Sequence, residues 1–235
     1  MTDVKSIVQC LKSMSNQKVA EHSKVFFKTG VGEYAEGDSF LGIRVPVLRK
    51  QVKEFRKSSL RSIYSCLKNE FHEIRLFALL SLVDRFKKGS LDERKEIYQH
   101  YIQNILYINN WDLVDSSAPH IVGAFLNDKD RKPLYHLAKS DNLWHRRIAI
   151  ISTHFFIKND DYQDCFKLSE LLLNDTQDLI HKAVGWMLRE VGKRSRAEET
   201  AFLINHYRKM PRTMLRYAIE HYPEIERKAF LKGVA

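Results

Sequence analysis

Trp111 and Asp115 stand four residues apart, a spacing that places an indole ring and a carboxylate on one helical face. The same spacing suits a core tryptophan beside a capping or salt-bridged aspartate, so spacing alone leaves both readings open. A second constellation, Lys182, Trp186, Arg189 and Lys193, advances in steps of four, three and four and forms one stripe of three cations around an indole. Such a surface offers cations for phosphates and a ring for a sugar or base face. A partly buried tryptophan edged by the apolar stems of snorkelling lysines fits the stripe as well. The third tryptophan, Trp144, opens a further segment with His145, Arg146 and Arg147, so every tryptophan in the chain lies in or beside polar, charged sequence.

Charge favours a polyanionic partner. The chain of 235 residues carries 39 Lys+Arg against 29 Asp+Glu, a net charge of +10, and nucleic acid is the commonest such partner. From Lys182 to Arg216 there are nine basic residues and three acidic ones, Glu190, Glu198 and Glu199. Other chemistries fail on spacing. His72-Glu73 lacks the second histidine of a zinc-protease helix, because Leu76 stands there. No G-x-S-x-G elbow and no phosphate-loop lysine motif is present. Cys10, Cys66 and Cys165 form no C-x-x-C pair, which argues for reduced thiols and a cytoplasmic setting. The ten histidines are scattered, so no metal site is expected.

The elements that must carry these residues read as helices almost throughout. Ser90-Leu91-Asp92-Glu93 directly after Gly89 marks one helix ending and another beginning, and Ser195-Arg196-Ala197-Glu198 repeats the signature. Val45-Pro46 and Met210-Pro211 place proline where a first turn tolerates it, and Asp141-Asn142 and Asp175-Thr176 are suited to capping. Pro119 should break or kink the helix bearing Asp115. Gly30, Gly32, Gly37 and Gly42 mark a loop between an N-terminal helical pair and the rest. After it, Ala78, Ala118, Ala149, Gly185 and Ala218 sit in the middle of apolar helical faces at intervals of roughly 31 to 40 residues. The expectation is an all-α, HEAT-like helical repeat solenoid, a single domain over 1–235 with a helical pair and Gly-rich loop at 1–45 and the repeats at 46–235.

Four segments then resemble the AlkD family of DNA alkylation repair proteins, in the family's order and over about residues 20 to 220. They are Phe40-Leu41-Gly42-Ile43-Arg44-Val45-Pro46, Asn110-Trp111-Asp112-Leu113-Val114-Asp115-Ser116-Ser117-Ala118-Pro119, Asn142-Leu143-Trp144-His145-Arg146-Arg147-Ile148-Ala149-Ile150 and His181-Lys182-Ala183-Val184-Gly185-Trp186-Met187-Leu188-Arg189-Glu190. The resemblance implies a DNA glycosylase that removes N3- and N7-alkylated purines, such as 3-methyladenine and 7-methylguanine, from duplex DNA held in a concave basic cleft. It implies Asp115 as the catalytic carboxylate, with Trp111 and Trp186 as the aromatic pair that contacts the lesion deoxyribose. Arg147, or its neighbour Arg146, would hold the DNA backbone, and Lys182, Arg189 and the adjoining Lys193 would lie near phosphates. Chemistry of this kind needs no cofactor and, in this family, is carried out with the base still stacked. A monomer is expected to suffice. Two alternatives remain: a catalytically silent nucleic-acid binder and a protein-interaction scaffold.

Overall fold

Side-chain caps set where many of the helices begin. In a computed structural model, which describes residues 3–235, Asn16, Ser59, Ser90, Asn142 and Ser195 each accept a hydrogen bond from a first-turn amide of the helix that follows. The helices so delimited are α1 (Val4–Ser13), α2 (Gln17–Phe26), α3 (Val45–Glu54), α4 (Leu60–Leu67), α5 (His72–Lys88), α6 (Leu91–Gln103) and α7 (Trp111–Asp115). Then follow α8 (Ala124–Leu126), α9 (Lys132–Ala138), α10 (Leu143–Ile157), α11 (Gln163–Leu171), α12 (Asp178–Gly192), α13 (Arg196–His206), α14 (Arg212–Ala218) and α15 (Glu224–Lys232). Among the described residues there is no β-strand, only an isolated bridge between Ser39 and Phe71. The fold is all-α and of the helical-repeat kind.

Two of the expected boundaries differ. α12 starts from Gln177, and Asp175 instead accepts the amide of Gln177 from just outside the helix while binding Arg146. Pro211 occupies the cap position before α14 rather than its first turn. Beyond α7 the chain does not simply break at Pro119. It winds through a π-helical stretch, Pro119–Gly123, which absorbs the proline's missing amide donor in a wider turn.

The described residues fall into two compact units that divide between Ile121 and Val122. In the first, α5 is the central element. It is buried from His72 to Val83 and again at Phe86, and α3, α4, α6 and α7 pack on it. In the second, α10 and α12 form the middle layer, with α9 and α11 against α10, and α13 and α14 against α12. The five small residues, Ala78, Ala118, Ala149, Gly185 and Ala218, are all buried in the helical layers. Cys66 and Cys165 are buried thiols, both pushed up to about 12 by burial, and Cys10 is half-buried with its thiol directed at Gln51.

Gly185 shows what one of these positions requires. A Cβ at this position would stand 2.4 Å from the Met214 carbonyl oxygen and 2.5 Å from Tyr217 Cβ, both fixed by α14. Gly185→Ala therefore pushes α12 and α14 apart and is expected to destabilise by about 1–3 kcal/mol, the range for overpacking a tight core. Urea unfolding should show a lower midpoint with little change in slope.

Candidate active site

Trp111 begins α7 because Asn110, fully buried, accepts the Trp111 amide at 2.8 Å. The indole is half-exposed and held by rings from the N-terminal segment. It stacks on Phe27 with centroids 5.3 Å apart and meets Phe26 edge-on at 5.9 Å. Phe26 is itself 57% exposed. One turn on, Asp115 ends α7, half-buried and close enough for its charge to act on the buried Tyr101 hydroxyl. That hydroxyl pairs with the Ser117 hydroxyl at 3.0 Å. Carboxylate and indole thus occupy one face of a single short helix, as their spacing suggests.

The geometry of α7 is set from α5 by a pair of buried charged residues that no sequence motif marks. His72 lies between two carboxylates: its Nδ1 is 3.1 Å from Asp38 and its Nε2 is 2.8 Å from Asp112, the residue after Trp111. Arg75 closes the cluster, donating to Asp38 at 2.5 Å, to Asn109 at 3.2 Å and to the carbonyls of Asn69 and Glu70. The imidazole also stacks on Phe40 and lies against Phe27, the ring that carries Trp111. Beside it, Glu73 accepts the amides of Leu41, Gly42 and Ile43 at 2.8, 2.7 and 3.2 Å. Gly42 has φ +80°, and a Cβ there would lie 2.1 Å from the Asn16 carbonyl oxygen, so no larger residue fits. The Phe40-Leu41-Gly42-Ile43 segment is thus a carboxylate-bound turn.

The second unit holds the remaining residues singled out from sequence. On α12, Trp186 is half-buried and donates its indole N–H to Glu190 at 3.0 Å, while His154 of α10 lies against the ring at 5.9 Å. The cations of the stripe are paired: Lys182 with Asp178 at 2.8 Å, Lys193 with Glu190 at 2.7 Å, and Arg189 with Glu220. The arginine doublet is more committed still. Arg146 binds Asp175 and the carbonyls of Ser140 and Asp141. Arg147 is buried and donates Nη1 to the Leu179 carbonyl at 2.5 Å. Trp144 is a buried core residue, 8% exposed, although it lies beside charged residues in the sequence. Among the described residues no group of three His, Cys, Asp or Glu side chains could hold a metal ion, and no helix is long and apolar enough to cross a membrane.

The family model for "DNA alkylation repair enzyme" matches residues 7–222, nearly the whole chain. The chain belongs to that family. A solved structure described as a predicted DNA alkylation repair enzyme from Enterococcus faecalis is similar to it, with a TM-score of 0.70 at 17% identity, covering 89% of this chain and 97% of that one. At that identity the likeness establishes the fold. Comparison with curated protein sequences gives no match. Membership supports a role in DNA repair.

Burial alone would favour a neutral His72, but the charges and hydrogen bonds of Asp112 and Asp38 outweigh it and push the imidazole up to about 9. Burial would also raise the Asp38 carboxyl, yet His72 and Arg75 hold it below its ordinary value. An imidazole raised above its unfolded value of 6.5 stabilises fully below that pH and loses the contribution as pH climbs through 9. Asp38 has the opposite dependence, losing its contribution as pH falls below 3.8. Glu199 of α13, raised by burial to about 8, adds to the alkaline loss. Between pH 6.5 and 9 the His72 share of the fall in stability, measured in urea, is expected to be about 2–3 kcal/mol, with the Glu199 share on top of it. Asp112→Asn should make that decline shallower, whereas an unchanged decline would mean that His72 does not depend on this carboxylate.

Proposed function

We propose that this member of the DNA alkylation repair family is a DNA glycosylase that hydrolyses the N-glycosidic bond of N3- and N7-alkylated purines in duplex DNA. The observation that carries the reading is Asp115 one helical turn from Trp111, on a helix that Phe27, Asp112 and His72 hold in place. A merely phosphate-binding surface has no use for a carboxylate beside its aromatic residue.

An alkylated N3 or N7 places positive charge on the purine, so the glycosidic electron pair can leave with the base and yield a neutral product. The deoxyribose then carries oxocarbenium character at its anomeric carbon. Asp115 is proposed to stabilise that charge and to orient the water whose oxygen forms the new bond to the carbon, its proton passing to solvent. Trp111 presents a π-face to the same cationic sugar, and Trp186 is proposed as the second aromatic residue. No second carboxylate is needed, since the leaving base requires no protonation, in contrast to ordinary glycoside hydrolysis. A base that stays stacked fits this division of labour, because both groups act on the sugar.

For the backbone contacts Arg147, or its neighbour Arg146, is proposed, and either would exchange the partners it holds for phosphate: Arg147 is buried with Nη1 on the Leu179 carbonyl. Arg146 spends Nε, Nη1 and Nη2 on Asp175 and two carbonyls. Lys182, Arg189 and Lys193 are proposed to exchange their carboxylate partners for phosphates. Lys182 and Lys193 are the readier of the three, because exposed ion pairs of this sort are worth little.

The test is base release under single-turnover conditions from a duplex carrying one 7-methylguanine, with wild type and Asp115→Asn compared. The variant is expected to release base on the order of 10²- to 10³-fold more slowly with duplex binding intact. A wild-type protein that binds duplex yet releases neither 7-methylguanine nor 3-methyladenine above buffer would leave a silent nucleic-acid binder as the better reading.

A further inference from the structure

Most cations described above are matched to a carboxylate, and one group departs from that pattern. Within the first unit, α3 and the C-terminal half of α5 border a cleft of about 260 Å³. Its floor is apolar, formed by Val52, Leu80 and Val83. Around the rim stand Arg49, Lys53 and Lys87, all exposed, and among the described residues none has a carboxylate within ion-pair distance. The acid that lines the cleft, Asp84, is occupied twice over, by Arg56 at 2.9 Å and by Lys88 at 2.8 Å. Arg49 and Lys53 are moreover one turn apart on α3, a like-charge placement that weakens a helix.

Three like charges converging without a counter-ion raise the potential in the cleft, and a bound anion lowers it. Exposed lysines on flexible stems beside a rigid apolar floor suit a point-charge contact to phosphate rather than a fitted small-molecule pocket. The location specifies which phosphate. Ser116, the residue after Asp115, lines the same cleft, so an anion held here lies beside the end of α7. We propose that Arg49, Lys53 and Lys87 bind a backbone phosphodiester of the DNA strand next to the nucleotide on which Asp115 acts. The proposal rests on the duplex-DNA reading above and adds to it a binding site on α3 and α5.

The decisive quantity is the salt dependence of binding. Every phosphate that a protein neutralises contributes about 0.9 to the slope of log affinity against log salt. The triple variant Arg49→Gln, Lys53→Gln, Lys87→Gln is expected to bind unmodified duplex with a slope shallower by about 1, the share of one phosphate, between about 50 and 200 mM salt. A control triple with the same change in net charge, Lys18→Gln, Lys95→Gln, Lys139→Gln, removes exposed cations elsewhere and should keep the wild-type slope. Base release from the saturated complex should persist in the cleft variant, because its cations do not touch the reacting sugar. The substituted side chains are exposed, and thermal melting checks that both triples fold. A cleft variant with the slope of the wild type or of the control overturns the proposal while leaving the glycosylase reading intact. A wild-type protein without salt-sensitive duplex binding overturns both, beginning with the reading on which the cleft depends.

Discussion

Two consecutive residues at the start of α5, His72 and Glu73, hold together three segments that are far apart in the chain. Both are almost wholly buried, where an unpaired charge would cost several kcal/mol, on the order of the stability of the whole fold. Each is fully engaged instead. The imidazole joins the loop carboxylate Asp38 to Asp112 of α7, and the carboxylate of Glu73 gathers three successive amides of the Gly42 turn. The ring stack of Phe40, His72, Phe27 and Trp111 is the apolar counterpart of this arrangement. Removing one member would leave the others buried without partners, so the loop, the central helix α5 and α7 stand or fall together.

Electrostatics divide differently in the second unit. There the cations singled out from sequence are turned inward or paired: Arg146 and Arg147 fasten the start of α10 to its neighbours, and the stripe of α12 is balanced by Asp178, Glu190 and Glu220. A net charge summed over sequence therefore says little about where positive potential lies. Potential is concentrated where cations lack partners, and the rim of the cleft between α3 and α5 is such a place.

Local features of this fold were legible in the sequence. Ser90, Ser195 and Asn142 cap the helices they precede, and the small residues at 78, 118, 149, 185 and 218 fall on buried helical faces, because caps and helical faces depend on neighbours within a turn. The face shared by Trp111 and Asp115 is of the same kind. What could not be read depends on residues distant in the chain. Nothing in Phe27 announces that it will stack on Trp111, and His72-Glu73 looked like half of a metal motif because its partners lie about thirty or forty positions away. Asp175 has the right residue type for a cap, yet Arg146 claims it for a tertiary ion pair. Trp144 sits among charged neighbours in sequence, yet its ring is buried, and the arginines beside it, Arg146 and Arg147, are bound to Asp175 and to backbone carbonyls.

The two deeply buried cysteines carry a further consequence. Electrophiles react with thiolate, not thiol. With Cys66 and Cys165 pushed up to about 12 by burial, the thiolate fraction near neutral pH is roughly one in 10⁵. Alkylating agents, whose damage gives the DNA alkylation repair family its name, attack soft nucleophiles such as cysteine sulfur. Packing Cys66 against the core of the first unit and Cys165 within the second keeps those atoms protonated and sealed from the reagent. The same burial that stabilises each helix layer thus also shields these two thiols, while Cys10 is the half-buried exception.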